Sequence, residues 1–178
     1  MKYLAVLLLV LAAARPAFCE DWNFVPDLGL ASYAGLNELG GRSVYAFGLG
    51  FAAIAPGGFS AKLEAAYAHT LHIFLSPSQY DLFSDGTPYF ALALGFVHRP
   101  NAENHVSFYG KAAIAPGRFM GYGGEIGYTR FIAGNLGLTL GISPLFLVGR
   151  KGMDTNTFGI MPRFALAYRF GIPAGQKE

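Results

Sequence analysis

Residues 136–142 read Leu136-Gly137-Leu138-Thr139-Leu140-Gly141-Ile142. Every second side chain is large and apolar. In a strand, successive side chains point to opposite faces. Leu136, Leu138, Leu140 and Ile142 therefore share one face, and Gly137, Thr139, Gly141 and Ser143 share the other. A helical period of 3.6 would mix the two sets. The same rhythm recurs in both directions along the chain. Phe164, Leu166, Tyr168 and Phe170 oppose Arg163, Ala165, Ala167 and Arg169. Tyr45, Phe47, Leu49 and Phe51 oppose Ala46, Gly48, Gly50 and Ala52. Phe90, Leu92, Leu94 and Phe96 oppose Ala91, Ala93 and Gly95. From Phe59, Leu63 and Tyr67 oppose Lys62, Glu64 and Ala66; Val106, Phe108 and Ile114 oppose Ser107, Tyr109 and Lys111; Ile126 and Tyr128 oppose Glu125, Gly127 and Thr129. With a weaker first segment, this predicts eight strands over 27–36, 43–54, 59–73, 88–98, 105–115, 119–131, 135–148 and 158–170.

Composition decides which face is which. Of 178 residues, 53% are hydrophobic, 13% are charged and 24 are Gly; mean hydropathy is +0.36. Soluble domains carry about 25% charged residues, and disorder needs low hydrophobicity with high charge. Yet past the N-terminal segment no run reaches the ~18 apolar residues of a spanning helix. The smaller face of each strand is mostly Gly and Ala, which solvate poorly. Those residues suit the cramped interior of a narrow barrel, which eight strands just close around side chains. The large apolar face then meets lipid. Strands this long match the ~9–11 tilted residues that cross a bilayer. A closed barrel also satisfies its backbone groups without water. The expected fold is all-β: an eight-stranded antiparallel up-and-down transmembrane β-barrel.

The N-terminus fits delivery to an outer membrane. Lys2 is followed by 11 apolar residues, Leu4 to Ala14, and then by Ala17-Phe18-Cys19. That is the pattern of a secretory signal with its cut before Glu20. Residues 1–19 are expected to be the signal and 20–178 the barrel. An alternative use of Cys19 is acylation, against which stands the bulky Phe18. Cys19 is the only cysteine, so cleavage after it excludes disulfides and thiolate chemistry in the mature chain. Lys2 and Arg15 leave with the signal, so 13 basic residues become 11, against 11 acidic ones. No basic stripe remains for nucleic acid.

With both termini periplasmic, the even connections are short: Ala55–Gly58, Arg99–Asn104 and Ala133–Gly134. Two odd, external ones are longer, Phe74–Thr87 and Gly149–Thr157, the asymmetry of outer-membrane barrels. The other two, Asn37–Arg42 and Pro116–Arg118, are short. An echo crosses this scheme. Ala52-Ala53-Ile54-Ala55-Pro56-Gly57-Gly58-Phe59 recurs as Ala112-Ala113-Ile114-Ala115-Pro116-Gly117-Arg118-Phe119. The strand count puts the two copies at opposite ends of the barrel, so turn chemistry explains the echo better than duplication does.

These features resemble the small outer-membrane barrels that include the OmpA transmembrane domain, the OmpX-like proteins and the opacity-type porin-like proteins. The carriers are the N-terminal signal, the eight alternating segments and Phe164-Ala165-Leu166-Ala167-Tyr168-Arg169-Phe170. The resemblance implies that Phe164, Leu166, Tyr168 and Phe170 act as an assembly signal for the barrel-assembly machinery. In the family the chain usually ends on that aromatic; here Gly171–Glu178 follows.

The chemistry expected of the chain lies inside the barrel. Lys62, Glu64, Lys111, Glu125, Arg163 and Arg169 fall on inward faces, and buried charges must pair. Four basic against two acidic residues predicts an excess of two positive charges in the lumen. The plainest role is a plug that stabilises the barrel; the sharper one is a narrow ion path favouring anions. An enzymatic alternative, lipid A hydrolysis or acyl transfer, would take Ser76 or Ser78, His69 or His72, and Asp81 or Asp85. His69 and His72 are three apart, on opposite faces of a strand, and make no metal site. His98 and His105, with Arg99, Asn101, Glu103 and Asn104, mark the membrane boundary. No cofactor motif occurs. The role expected is structural or adhesin-like, with outer-membrane lipids around the barrel and an external ligand at 74–87 and 149–157.

Overall fold

The computed structural model describes residues 22–35, 43–71, 86–99, 101–149 and 156–170. They form eight strands: β1 (Asn23–Gly35), β2 (Ser43–Ile54), β3 (Phe59–Leu71), β4 (Thr87–His98), β5 (Asn104–Ala115), β6 (Phe119–Ala133), β7 (Leu136–Gly149) and β8 (Asn156–Tyr168). Each pairs antiparallel with its neighbours in sequence, and β1 pairs with β8, so the sheet closes. Among the described residues no helix is long and apolar enough to cross a membrane. The strands run 12 to 15 residues, more than the ~9–11 that a tilted crossing needs.

The alternation becomes a division between wall and lumen. Leu63 pairs with Leu92, Leu140 with Phe164, and Leu28 with Leu166. All six side chains stand outside, Leu63 at 60% exposure. Between them, Ala68, Ala93, Ala165 and Ala167 are buried in the lumen at 1% or less. So continuous an apolar outer belt fits hydrocarbon and not water.

The structure differs from the sequence reading at strand ends. β1 begins at Asn23, four residues early, because Pro26 does not stop it. Pro26 keeps its register with Phe51 of β2, and its missing N–H falls on the other side. Leu145 and Leu147 of β7 turn inward, as do Phe119 and Phe131 of β6. Large residues thus fill the lumen near both ends, while small ones line its middle.

The echoed sequence makes two turns at opposite ends. Gly58 N donates to Ala55 O at 2.9 Å, and Arg118 N donates to Ala115 O at 3.0 Å. In the first copy the left-handed residue is Gly58, φ +89°, and in the second it is Gly117, φ +75°. Arg118 occupies the place of Gly58 and resists that conformation, so the positive φ moves one residue back. One differing residue gives two turn geometries.

Candidate functional site

Six charged side chains meet in one layer at mid-height of the lumen. Lys62 and Glu64 come from β3, Lys111 from β5, Glu125 from β6, Arg163 from β8 and Asp27 from β1. Lys62 Nζ lies 2.7 Å from Glu64 Oε1 and 2.5 Å from Glu125 Oε1. Lys111 pairs with Glu64, and it lies 3.0 Å from Glu125 Oε2. Arg163 reaches Glu64 at 3.4 Å and forks onto Asp27, one arm at 3.2 Å. Ser143 donates to Glu125 at 3.4 Å. All six side chains are at most 7% exposed. Glu64 is ion-paired with three cations, Glu125 with two and Asp27 with the forked Arg163, the pairing that such burial requires.

Apolar layers close the network on both sides. Toward the loops stand Tyr33, Tyr89, Phe119, Leu145, Leu147 and Met161. Toward the termini stand Val25, Ile54, Val97, Tyr109 and Phe131. Tyr109 also shares a 2.9 Å hydrogen bond with Ser60. A cavity of about 20 Å³ remains between Lys111 and the upper layer, room for about one water.

Two features differ from the sequence reading. Arg169 does not join the layer. It sits one residue past β8, at the rim nearer the chain termini, with its guanidinium 4.3 Å from the Phe131 ring centroid. From there it donates to Ala102 O at 2.6 Å and Gly134 O at 3.4 Å, tying two turns together. Being near the end of the lumen, it finds carbonyls where mid-barrel residues find carboxylates. Asp27 takes its place in the layer. Its parity with the inward Gly29 is visible in the sequence, but it lies where the weak first strand was expected to begin. Three positive charges therefore meet three negative ones, and the expected excess of two is absent.

The remaining candidates are dispersed. Phe164, Leu166, Tyr168 and Phe170 all face outward, with the Tyr168 and Phe170 rings 4.8 Å apart. Phe170 continues past β8 by bridging Phe24. His98 faces out and His105 in, its ring centroid 4.9 Å from that of Phe131 in an edge-to-face arrangement. Asn101 Oδ1 accepts the Glu103 and Asn104 amides at 3.1 and 2.9 Å, which shapes this turn. Arg99 donates to Pro56 O of the neighbouring turn at 2.9 Å. His69 lies on the outer face. His72, Ser76, Ser78, Asp81 and Asp85 lie outside the described residues, as do 74–85 and 150–155 of the long connections. Among the described residues no group of His, Cys, Asp or Glu is placed to hold a metal ion.

Gly50 makes room for Asp27. A Cβ at Gly50 would lie 2.5 Å from Asp27 Oδ1. Gly50→Ala is expected to push the carboxylate off Arg163 and cost about 1–3 kcal/mol, the usual penalty for overpacking. The denaturant midpoint of refolded protein measures it. Gly57→Ala is the control, since a Cβ there meets nothing within 4 Å.

No protein-family model and no curated protein sequence matches this chain. Solved structures do. Ail, the attachment invasion locus protein of Yersinia pestis, in complex with the heparin analogue sucrose octasulfate, is 11% identical with a TM-score of 0.54. That match covers 85% of this chain and 100% of Ail. A second structure of Ail gives 11% identity and a TM-score of 0.51 over the same shares. Neisserial surface protein A gives 10% and 0.49, over 85% of this chain and 97% of its own. The closed sheet, the apolar belt and the likeness to Ail agree: the chain has the fold of the small eight-stranded outer-membrane β-barrels.

Proposed function

We propose that this chain is an outer-membrane protein whose sealed barrel serves as a rigid mount for external contacts. The observation that carries the reading is the neutral charge layer held between two apolar layers. An ion entering this lumen meets hydrocarbon side chains first and then carboxylates that already have partners. Desolvating an ion there costs several kcal/mol. In a planar bilayer, pure refolded protein is expected to leave the baseline conductance unchanged. Reproducible single-channel steps would overturn the sealed-lumen reading.

In this reading residues 1–19 direct export and are removed. Phe164, Leu166, Tyr168 and Phe170 present the last strand to the barrel-assembly machinery, and lipids of the outer membrane surround the apolar belt. Surface contact falls to the external connections 74–87 and 149–157. Grafted onto an inert eight-stranded barrel, these two segments are expected to transfer binding to host cells or matrix. Equal binding by the grafted and the bare barrel would remove the adhesin-like role.

A further inference from the structure

The ladder that closes the barrel, between β1 and β8, is interrupted twice, with a proline at each interruption. Its register runs from Asp27↔Ala167 to Ala31↔Arg163 and resumes only at Ala34↔Ile160. The skipped positions set Ser32 and Tyr33 opposite Met161 and Pro162. Below Asp27 the register stops again, until the bridge Phe24↔Phe170. The skipped positions there set Pro26 opposite Tyr168. On their other sides both prolines stay in register, Pro26 with Phe51 and Pro162 with Ile142. A strand residue directs its N–H to one neighbour only. Both prolines therefore direct their missing donor at the same seam. Inside a bilayer no water replaces it. Pro144 breaks the β6–β7 ladder in the same way, but once, between Gly123↔Leu145 and Ile126↔Ile142.

The backbone segment left between the two gaps is short: Asp27–Ala31 against Arg163–Ala167. Asp27 stands at one end of it and Arg163 at the other, on the inner face. Their ion pair crosses the seam on the diagonal. The guanidinium reaches Asp27 by lying over Gly29, where a Cβ would come within 3.0 Å of Arg163 Nε and of Ala165 Cβ. The pair also ties to Glu64 through Arg163, which anchors it to the rest of the layer.

We propose that Asp27 and Arg163 form a diagonal latch that holds the β1–β8 seam closed, and that the barrel opens at this seam when the latch is broken. The four ion pairs of Lys62 and Lys111 with Glu64 and Glu125 lie within or between β3, β5 and β6, and the ladders from β3 to β6 are continuous; Arg163–Glu64 ties β8 to β3 across the lumen. The latch alone bridges strands whose backbone pairing is deficient on both sides of it. It supplies by side chain what two prolines withhold from the main chain.

Residue-resolved hydrogen exchange on the full barrel in lipid nanodiscs tests this. Leu28, Leu30, Phe164 and Leu166 report the seam; Leu63, Leu92 and Ala112 report the rest of the wall. Asp27→Asn is expected to speed exchange at the seam about ten-fold more than elsewhere, as local opening does. An equal rise in every strand, or no rise, overturns the latch. Pro26→Ala with Pro162→Ala restores both donors. Added to Asp27→Asn, this pair is expected to bring seam exchange back to within about two-fold of the parent. Should Asp27→Asn fail to fold, the proline pair in the otherwise unchanged chain decides. It is expected to slow seam exchange selectively, and a uniform or absent effect overturns the proposal.

Discussion

Glu64→Leu is expected to destabilise the barrel by about 3–5 kcal/mol, the usual cost of removing one partner from a buried ionic network. Glu64 touches Lys62, Lys111 and Arg163. Its loss leaves three buried cations facing only Asp27 and Glu125. The loss of the fast-migrating unboiled band with rising urea measures the effect. A change of less than about 1 kcal/mol would show that water reaches the layer, since only solvation could replace so much lost pairing. Replacing all six charged residues with apolar ones of similar volume is expected to cost far less, because no charge is then left unpaired.

The second large effect lies on the outside. Leu92 sits at the middle of β4 with its side chain on the outer face, 47% exposed. Leu92→Arg is expected to cost about 2–4 kcal/mol in a lipid bilayer, and the same change at Met120, the second residue of β6, about 0–1 kcal/mol. Unfolding titrations in vesicles compare the two. Equal costs at the two positions would contradict a membrane-facing belt with its midplane near Leu92. Both side chains are exposed, so exposure alone predicts no difference between them.

The fold was legible because its signal is covalent. Leu136 to Ile142 and Phe164 to Phe170 alternate without exception, and each reappears as an outer face. The lumen was legible only in part. Lys62, Glu64, Lys111, Glu125 and Arg163 follow from parity, since each is flanked by residues whose direction is plain. Asp27 carried the same parity, but it stands beside Pro26 where the strand was expected to begin. Arg169 also has inward parity, yet parity fixes only direction. Height along the barrel separates Arg169 from Arg163, and height depends on the stagger between strands. The size rule failed at Phe119, Phe131, Leu145 and Leu147 for a related reason. Small residues are needed inside where the charged side chains pack, and the space above and below that layer takes larger ones.

The six charges come from five of the eight strands, and each depends on one parity. A slip of one residue in β6 would turn Glu125 out into hydrocarbon, bring Ile126 against Lys62 and leave the two lysines to share Glu64 alone. The same holds for β1, β3, β5 and β8. Apolar alternation already penalises such a slip, because it would turn large side chains into the cramped lumen. The layer makes it prohibitive, since a misaligned strand carries a bare charge into the bilayer. The buried charges thus act as a proofreader of strand alignment: they admit the one arrangement in which every ion finds its opposite.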